Sequence, residues 1–188
     1  IAATTQFAVD LVNEAGGVSG CRVETVLRDS QKDPKVGVDA ARSLVDLEKV
    51  NVLLGAVSSG VTMPILTSVT APANVMHMSF YSSSTAFINL AEEGKTKGLW
   101  FRTFATSAVQ ATAASILISE KNYKNVAIFY KNDDWGQDMG RLVAGNLEKL
   151  GIHVSTSIAI NDGQASYQRE TRCHLSRPVS QRRDLHRP

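Results

Sequence analysis

Three short stretches hold most of the side chains that could do chemistry. In Asn51–Thr62 an apolar run, Val52-Leu53-Leu54, stops at Gly55 and leads into Ser58-Ser59-Gly60. The second is Phe80-Tyr-Ser-Ser-Ser-Thr85, and the third is Lys131-Asn-Asp-Asp-Trp-Gly136. Hydroxyls beside free turn amides at a helix start suit an anionic group such as a carboxylate or phosphate. The same residues would also serve as a plain helix cap. Trp135 suits an apolar wall or cover for a ligand, or equally a packing residue of a helix's first turn. Neither hydroxyl-rich loop carries a catalytic base.

Enzyme signatures are sparse. There is no G-x-G-x-x-G and no phosphate loop ending in G-K-[ST]. No histidine pair has metal-ligand spacing, and His77 reads as a core or edge histidine on a strand. One weak match remains: Ala56-Val-Ser58-Ser-Gly60 between a strand and a helix, the place of a hydrolase's nucleophile elbow. Ser58 would then need an acid, Asp133 or Asp134, and a downstream histidine, His153, His174 or His186. The expectation is no enzyme, no metal and no cofactor.

The elements that must position these loops follow from periodicity. Residues 2–14 read as a helix with Ala3, Phe7 and Leu11 on one stripe, stopped by Gly16-Gly17. Residues 22–28 alternate through Val23, Thr25 and Leu27 and read as a strand. Asp33-Pro34 starts a helix that buries Val36, Ala40, Leu44 and Val45. Strands are expected at 51–54, 74–79, 99–104, 126–130 and 152–160. Pro64 fits a first helical turn, which makes Thr62 a candidate cap. A helix from Thr106 or Ser107 carries Val109, Ala113, Ile116 and Leu117; another buries Met139, Leu142, Val143, Leu147 and Leu150 before Gly151. Strand–helix alternation with short turns implies an α/β fold of parallel sheets with helices on both faces. Ligands of such sheets bind at the carboxyl ends of strands, where the three loops lie.

The chain has 188 residues, 43% hydrophobic and 20% charged, ordinary for a soluble globular protein. No apolar run approaches the roughly 20 residues of a membrane span. Cys21 and Cys173 are too isolated for a disulfide framework or metal site. The net charge of +2 is unevenly placed: residues 169–188 hold six of the eleven arginines against Glu170 and Asp184, +4, leaving −2 on residues 1–168. A nucleic-acid partner wants a basic face on the folded body and is not expected. Apolar periodicity ends near Tyr167, so 168–188 reads as a disordered or non-native tail. The chain opens on Ile1 in a helical pattern, so its true N-terminus is expected upstream and the absence of a signal peptide is uninformative.

Several segments, in order and spacing, resemble the type I periplasmic binding proteins, in particular the branched-chain amino-acid (Leu/Ile/Val) substrate-binding subunits of ABC transporters. They are Val12-Asn-Glu-Ala-Gly-Gly-Val-Ser-Gly20, Arg28-Asp-Ser-Gln-Lys-Asp-Pro34, Leu54-Gly-Ala-Val-Ser-Ser-Gly60, Phe101-Arg-Thr103 and Tyr130-Lys-Asn-Asp-Asp-Trp-Gly136. The resemblance covers 1–167. It implies two α/β lobes, a first over 1–104 and the start of a second over 105–167, with a hinge crossing at Thr103 and Phe104. It implies that Ser59, beside Ser58, takes a ligand α-carboxylate. Tyr81 would offer its backbone carbonyl to an ammonium, Ser83 its hydroxyl to either group, and Trp135 would cover the ligand. Some members carry a disulfide at the positions of Lys32 and Ser58; here both cysteines are absent. The family's first strand, most of its second lobe and its ammonium-binding acid are also absent, so an internal fragment, weakly stable and weakly binding alone, is expected.

The resemblance thus implies an extracytoplasmic, periplasmic binding component, monomeric, that passes an amino acid or small carboxylate to permease subunits in the membrane. A ligand-sensing domain of a receptor or regulator shares the fold and stands as the alternative, ahead of the hydrolase.

Overall fold

The computed structural model describes residues 2–168. The expected tail lies outside the described residues apart from its first residue. Two parallel sheets flanked by helices form the frame. The first sheet has the order β1 (Val52–Leu54), β2 (Met76–Ser79), β3 (Trp100–Arg102). The second pairs β4 (Asn125–Lys131) with β5 (His153–Ile160). All pairings are parallel: Leu53 sits opposite His77, Met78 opposite Phe101, and Tyr130 opposite Ala159. Parallel neighbours require a crossover between them, and helices supply it.

Two helices start on side-chain caps. Asp33 caps α2 (Pro34–Arg42) by accepting the Val36 N–H at 2.9 Å, with Pro34 just inside. Asp133 caps α7 (Asp134–Lys149) by accepting the Gly136 N–H at 2.8 Å. The first core joins Ala41 and Val45 of the α2 segment to Leu53 of β1 and to Val61 and Ile65 of α3 (Ser59–Ile65). A second core stacks Phe87 of α5 (Ala86–Glu92) on Trp100, ring centroids 4.5 Å apart, beside Leu66 and Ala71 of the short α4 (Ala71–Ala73).

Several expectations need correction. Residues 22–28 pair with no strand among the described residues. Their backbone is instead bound by a side chain of α1 (Ala2–Glu14): Asn13 accepts the Val23 N–H at 2.8 Å and donates to the Val23 carbonyl at 2.9 Å. Alternation therefore found an amphipathic segment, not a ladder. α2 buries Gly37 and Ala41 in place of Val36 and Ala40, while Val45, just past its end, is buried as expected. A Cβ at 37 would lie 2.5 Å from Val61 Cγ1, so small residues let the two helices close.

α3 begins at Ser59 with Ser58 as cap residue, which places Pro64 in the second turn, not the first. Pro64 cannot bond the Gly60 carbonyl, and the helix runs on into a π-turn segment, Leu66–Thr70. Thr62 is therefore not the cap; it is buried, and its hydroxyl donates to the Ala56 carbonyl at 3.2 Å. α6 (Ser107–Glu120) buries Ser107, Ala111 and Ser115 against α7, while Val109, Ala113, Ile116 and Leu117 face outward. Small residues at four-residue spacing win that contact because they allow close approach. In α7, Leu147 is buried, Met139, Leu142 and Val143 are half-buried, and Leu150, also expected inward, is exposed.

Candidate functional site

The three loops singled out by their chemistry follow β1, β2 and β4, and they meet. Gly55 ends β1, and its carbonyl accepts from His77 Nε2 at 2.5 Å, while His77 Nδ1 pairs with the Thr70 hydroxyl at 3.0 Å. Full burial lowers the His77 pKa to about 4 despite the Gly55 bond, so the ring is neutral and fixed. The next carbonyl, Ala56, accepts from the Ser79 hydroxyl at 2.9 Å and the Thr62 hydroxyl at 3.2 Å. Buried hydroxyls thus hold the turn leading to Ser58 and Ser59.

Ser59 is buried at the start of α3, and its Oγ accepts the Ser84 N–H at 3.3 Å. This contact joins the first loop to the second. The second loop is held on its other side as well. The Ser83 carbonyl accepts the Ser107 N–H at 2.8 Å, and the Ser84 carbonyl accepts from Arg102 at 2.9 Å. Thr85 donates its N–H and its hydroxyl to the Asp138 carboxylate at 2.7 and 2.6 Å. Burial pushes the Asp138 carboxyl up, but bonds from Thr85, Arg141 and Ser107 outweigh it and hold it below its ordinary value. Burial also lowers the Arg102 guanidinium, offset by the charge of Asp138.

The third loop approaches the first directly. A Cβ on Gly60 would stand 3.0 Å from Asp133 Cβ. Beside this contact lies a cavity of about 220 Å³ bordered by Ser58, Gly60 and Val61 on one side and Lys131, Asn132 and Asp133 on the other. Bonding to Asp162 foremost, at 2.8 Å, and to Asp133 at 3.2 Å raises the Lys131 pKa. The rim is therefore polar and of both signs, as a zwitterion's surroundings need to be.

Placement of the expected residues is uneven. Ser58 borders the cavity, Ser59 is buried between the lining residues Ser58 and Gly60, and Ser83 is buried against Ser107. Trp135 is half-exposed in the first turn of α7, next to the Asp133–Gly60 contact. Tyr81 points elsewhere: its ring is exposed and stacks on Phe104, centroids 4.5 Å apart. The hydrolase geometry fails. His153 opens β5 opposite Asn125, whereas Asp133 follows the far end of β4, so roughly 20 Å of strand separates acid and base. His77 is spent on Gly55 and Thr70, and His174 and His186 lie outside the described residues. From the sequence Arg102 and Asp138 take no site role, and Thr85 and Ser107 are marked only as a loop end and a candidate helix start. Asp138 three residues before Arg141 looks like a surface ion pair, and nothing local marks it as buried.

A family model for periplasmic binding proteins matches residues 1–172. The leucine-, isoleucine-, valine-, threonine- and alanine-binding protein of Pseudomonas aeruginosa is 29% identical over 164 residues, 86% of this chain and 42% of that protein. A chemotactic signal transduction system substrate-binding protein of Halobacterium salinarum is 27% identical over 161 residues, 83% of this chain and 37% of that one. The solved structure of a leucine-binding protein from Thermotoga maritima superposes with a TM-score of 0.76 at 20% identity, over 89% of this chain and 47% of that one. The chain spans less than half the length of the curated relatives it matches.

Proposed function

The chain belongs to the periplasmic binding protein family, and from that premise we propose that the protein is the extracytoplasmic substrate-binding component of an ABC transporter. It captures an amino acid, branched-chain-like, or a related small carboxylate between its two sheets, and delivers it to permease subunits in the membrane. The family binds without catalysis, so the ligand leaves unchanged. The observation that carries this reading is the meeting of three strand-end loops, joined by the Ser59–Ser84 and Gly60–Asp133 contacts. Parallel sheets place ligands at that end of their strands. The name of the Pseudomonas relative supports an aliphatic amino acid.

In this proposal Ser59 and Ser58 receive the α-carboxylate at the start of α3, where free amides and the helix dipole favour negative charge. Tyr81 offers its backbone carbonyl to the ammonium, Ser83 its hydroxyl, and Trp135 closes over the side chain from the second sheet. Thr103 and Phe104 carry the chain across the hinge. Binding then shifts an open–closed equilibrium that the permease reads.

The test is thermal unfolding of the full-length protein against a panel of amino acids and small carboxylates. A ligand bound only by the native state raises the midpoint by mass action. A shift with one compound class, lost in Ser59→Ala and weakened in Trp135→Ala, supports the reading. No shift with any compound sinks it. The Halobacterium relative favours one second reading, a sensing role. Ligand-dependent stimulation of a reconstituted permease's ATPase separates the two, since a sensor would leave it unchanged.

A further inference from the structure

We infer that Asp138 is a positioning residue of the binding cleft: from α7 its carboxylate clasps Thr85, fixing loop 80–85 and tying the approach of the two sheets to the shape of the site. This rests on the interlobe cleft proposed above. Three observations carry it. First, the clasp crosses between the sheets. α7 packs on β4 and β5, while Thr85 follows β2, fifty-three residues earlier. Second, it is strong and two-pronged, with the Thr85 N–H on Oδ2 at 2.7 Å and the hydroxyl on Oδ1 at 2.6 Å. Bonds to an ionised acceptor are about twice as strong as neutral ones. Third, Asp138 is only 8% exposed. Parting the sheets would exchange both Thr85 bonds for water, while Arg141 and Ser107 stay with the carboxylate on its own side.

The consequence reaches the ligand groups through one short loop. Thr85 is two residues from Ser83, and Ser84 between them bonds Ser59. When the clasp forms, the hydroxyl of Ser83 and the loop amide on Ser59 are set together. When it parts, loop 80–85 keeps its contacts from Ser59, Thr62 and the Ser107 N–H of α6 and loses the anchor on α7. Asp138 therefore couples closure to site geometry without touching the ligand.

The experiment uses the full-length protein with L-leucine as the probe and two readouts: probe affinity by calorimetry, and the radius of gyration of the ligand-free protein by small-angle scattering. Asp138→Ala is expected to weaken L-leucine at least tenfold and to enlarge the ligand-free radius. Thr85→Ala, which keeps the N–H, should do both to a smaller degree, and Thr85→Ser should restore both. The double variant should be no worse than Asp138→Ala, because both changes remove one interaction. Should Asp138→Ala fail to fold, the Thr85 pair decides alone. Unchanged radius in Asp138→Ala or Thr85→Ala, or strictly additive losses, would overturn the inference and leave a static bond. If the wild type binds no panel compound, the transport proposal fails while the ligand-free radius still judges the clasp.

Discussion

Gly60 and Asp133 touch across the two sheets: a Cβ at position 60 would stand 3.0 Å from Asp133 Cβ. Gly60 sits in the first turn of α3 and Asp133 caps α7, so the contact joins two helix starts. No backbone strain requires glycine here; the close approach does. Gly60→Ala is expected to wedge the sheets apart and weaken ligand binding about tenfold, the effect of roughly 1–3 kcal/mol of overpacking. The unfolding midpoint of the ligand-free protein should move little. Titration calorimetry beside thermal unfolding checks both, and an unchanged affinity would mean the contact is not part of the binding-competent form.

His77 gives a pH dependence of stability. Its folded pKa, about 4, lies below the ordinary 6.5, because burial disfavours the charged ring. Between those values the unfolded chain binds the extra proton, so stability rises with pH across the window. The contribution is present above pH 6.5 and lost as pH falls toward 4, at most about 3 kcal/mol. Denaturant midpoints from pH 4 to 7 should show this slope, and His77→Gln should flatten it. Identical slopes in both proteins would assign the dependence to other groups.

The frame was legible where local chemistry decides the outcome. Asp33-Pro34 announces its helix because a cap and a fixed φ act within four residues, whereas Asp133, read only as a possible acid, proves to cap α7. β1 and β4 were legible as apolar runs and β5 by its alternation, and strands stand where 74–79 and 99–104 were expected. The misreadings share another cause: which face of an element is buried depends on its neighbour. Residues 22–28 alternate correctly yet bond to Asn13, and α6 turns Ala111 inward while Val109 and Leu117 face out. The loops of the site were visible as hydroxyl clusters. Their organiser Asp138 was not, because its partner Thr85 is distant in sequence and brought close only by the fold.

The two aspartate caps allow a matched pair of stability tests. Asp33 accepts from Val36 N–H and Asp133 from Gly136 N–H, at 2.9 and 2.8 Å. Replacing either by alanine should destabilise the fold by about 1 kcal/mol, the usual loss of an N-cap acceptor. Only Asp133→Ala should also alter ligand affinity, since Asp133 borders the cavity and pairs with Lys131. Equal effects of both on affinity would detach the cavity from the binding site.

The outward stripe of α6 predicts how the 188-residue chain behaves by itself. Val109 is 60% exposed and Leu117 61%, with Ile116 beside them. Phe7 and Leu11 form a similar uncovered stripe on α1. Soluble monomers rarely expose contiguous apolar patches of more than a few hundred Å². The isolated chain should therefore bind the dye ANS strongly at neutral pH and self-associate as its concentration rises. Val109→Gln with Leu117→Gln should reduce both without lowering the unfolding midpoint, because neither side chain packs against the core. Weak ANS binding by the unmodified chain, with a concentration-independent monomer in analytical ultracentrifugation, would show that the stripe is not exposed in solution. A fall in midpoint in the double variant would show that these side chains are buried against something and contribute to stability.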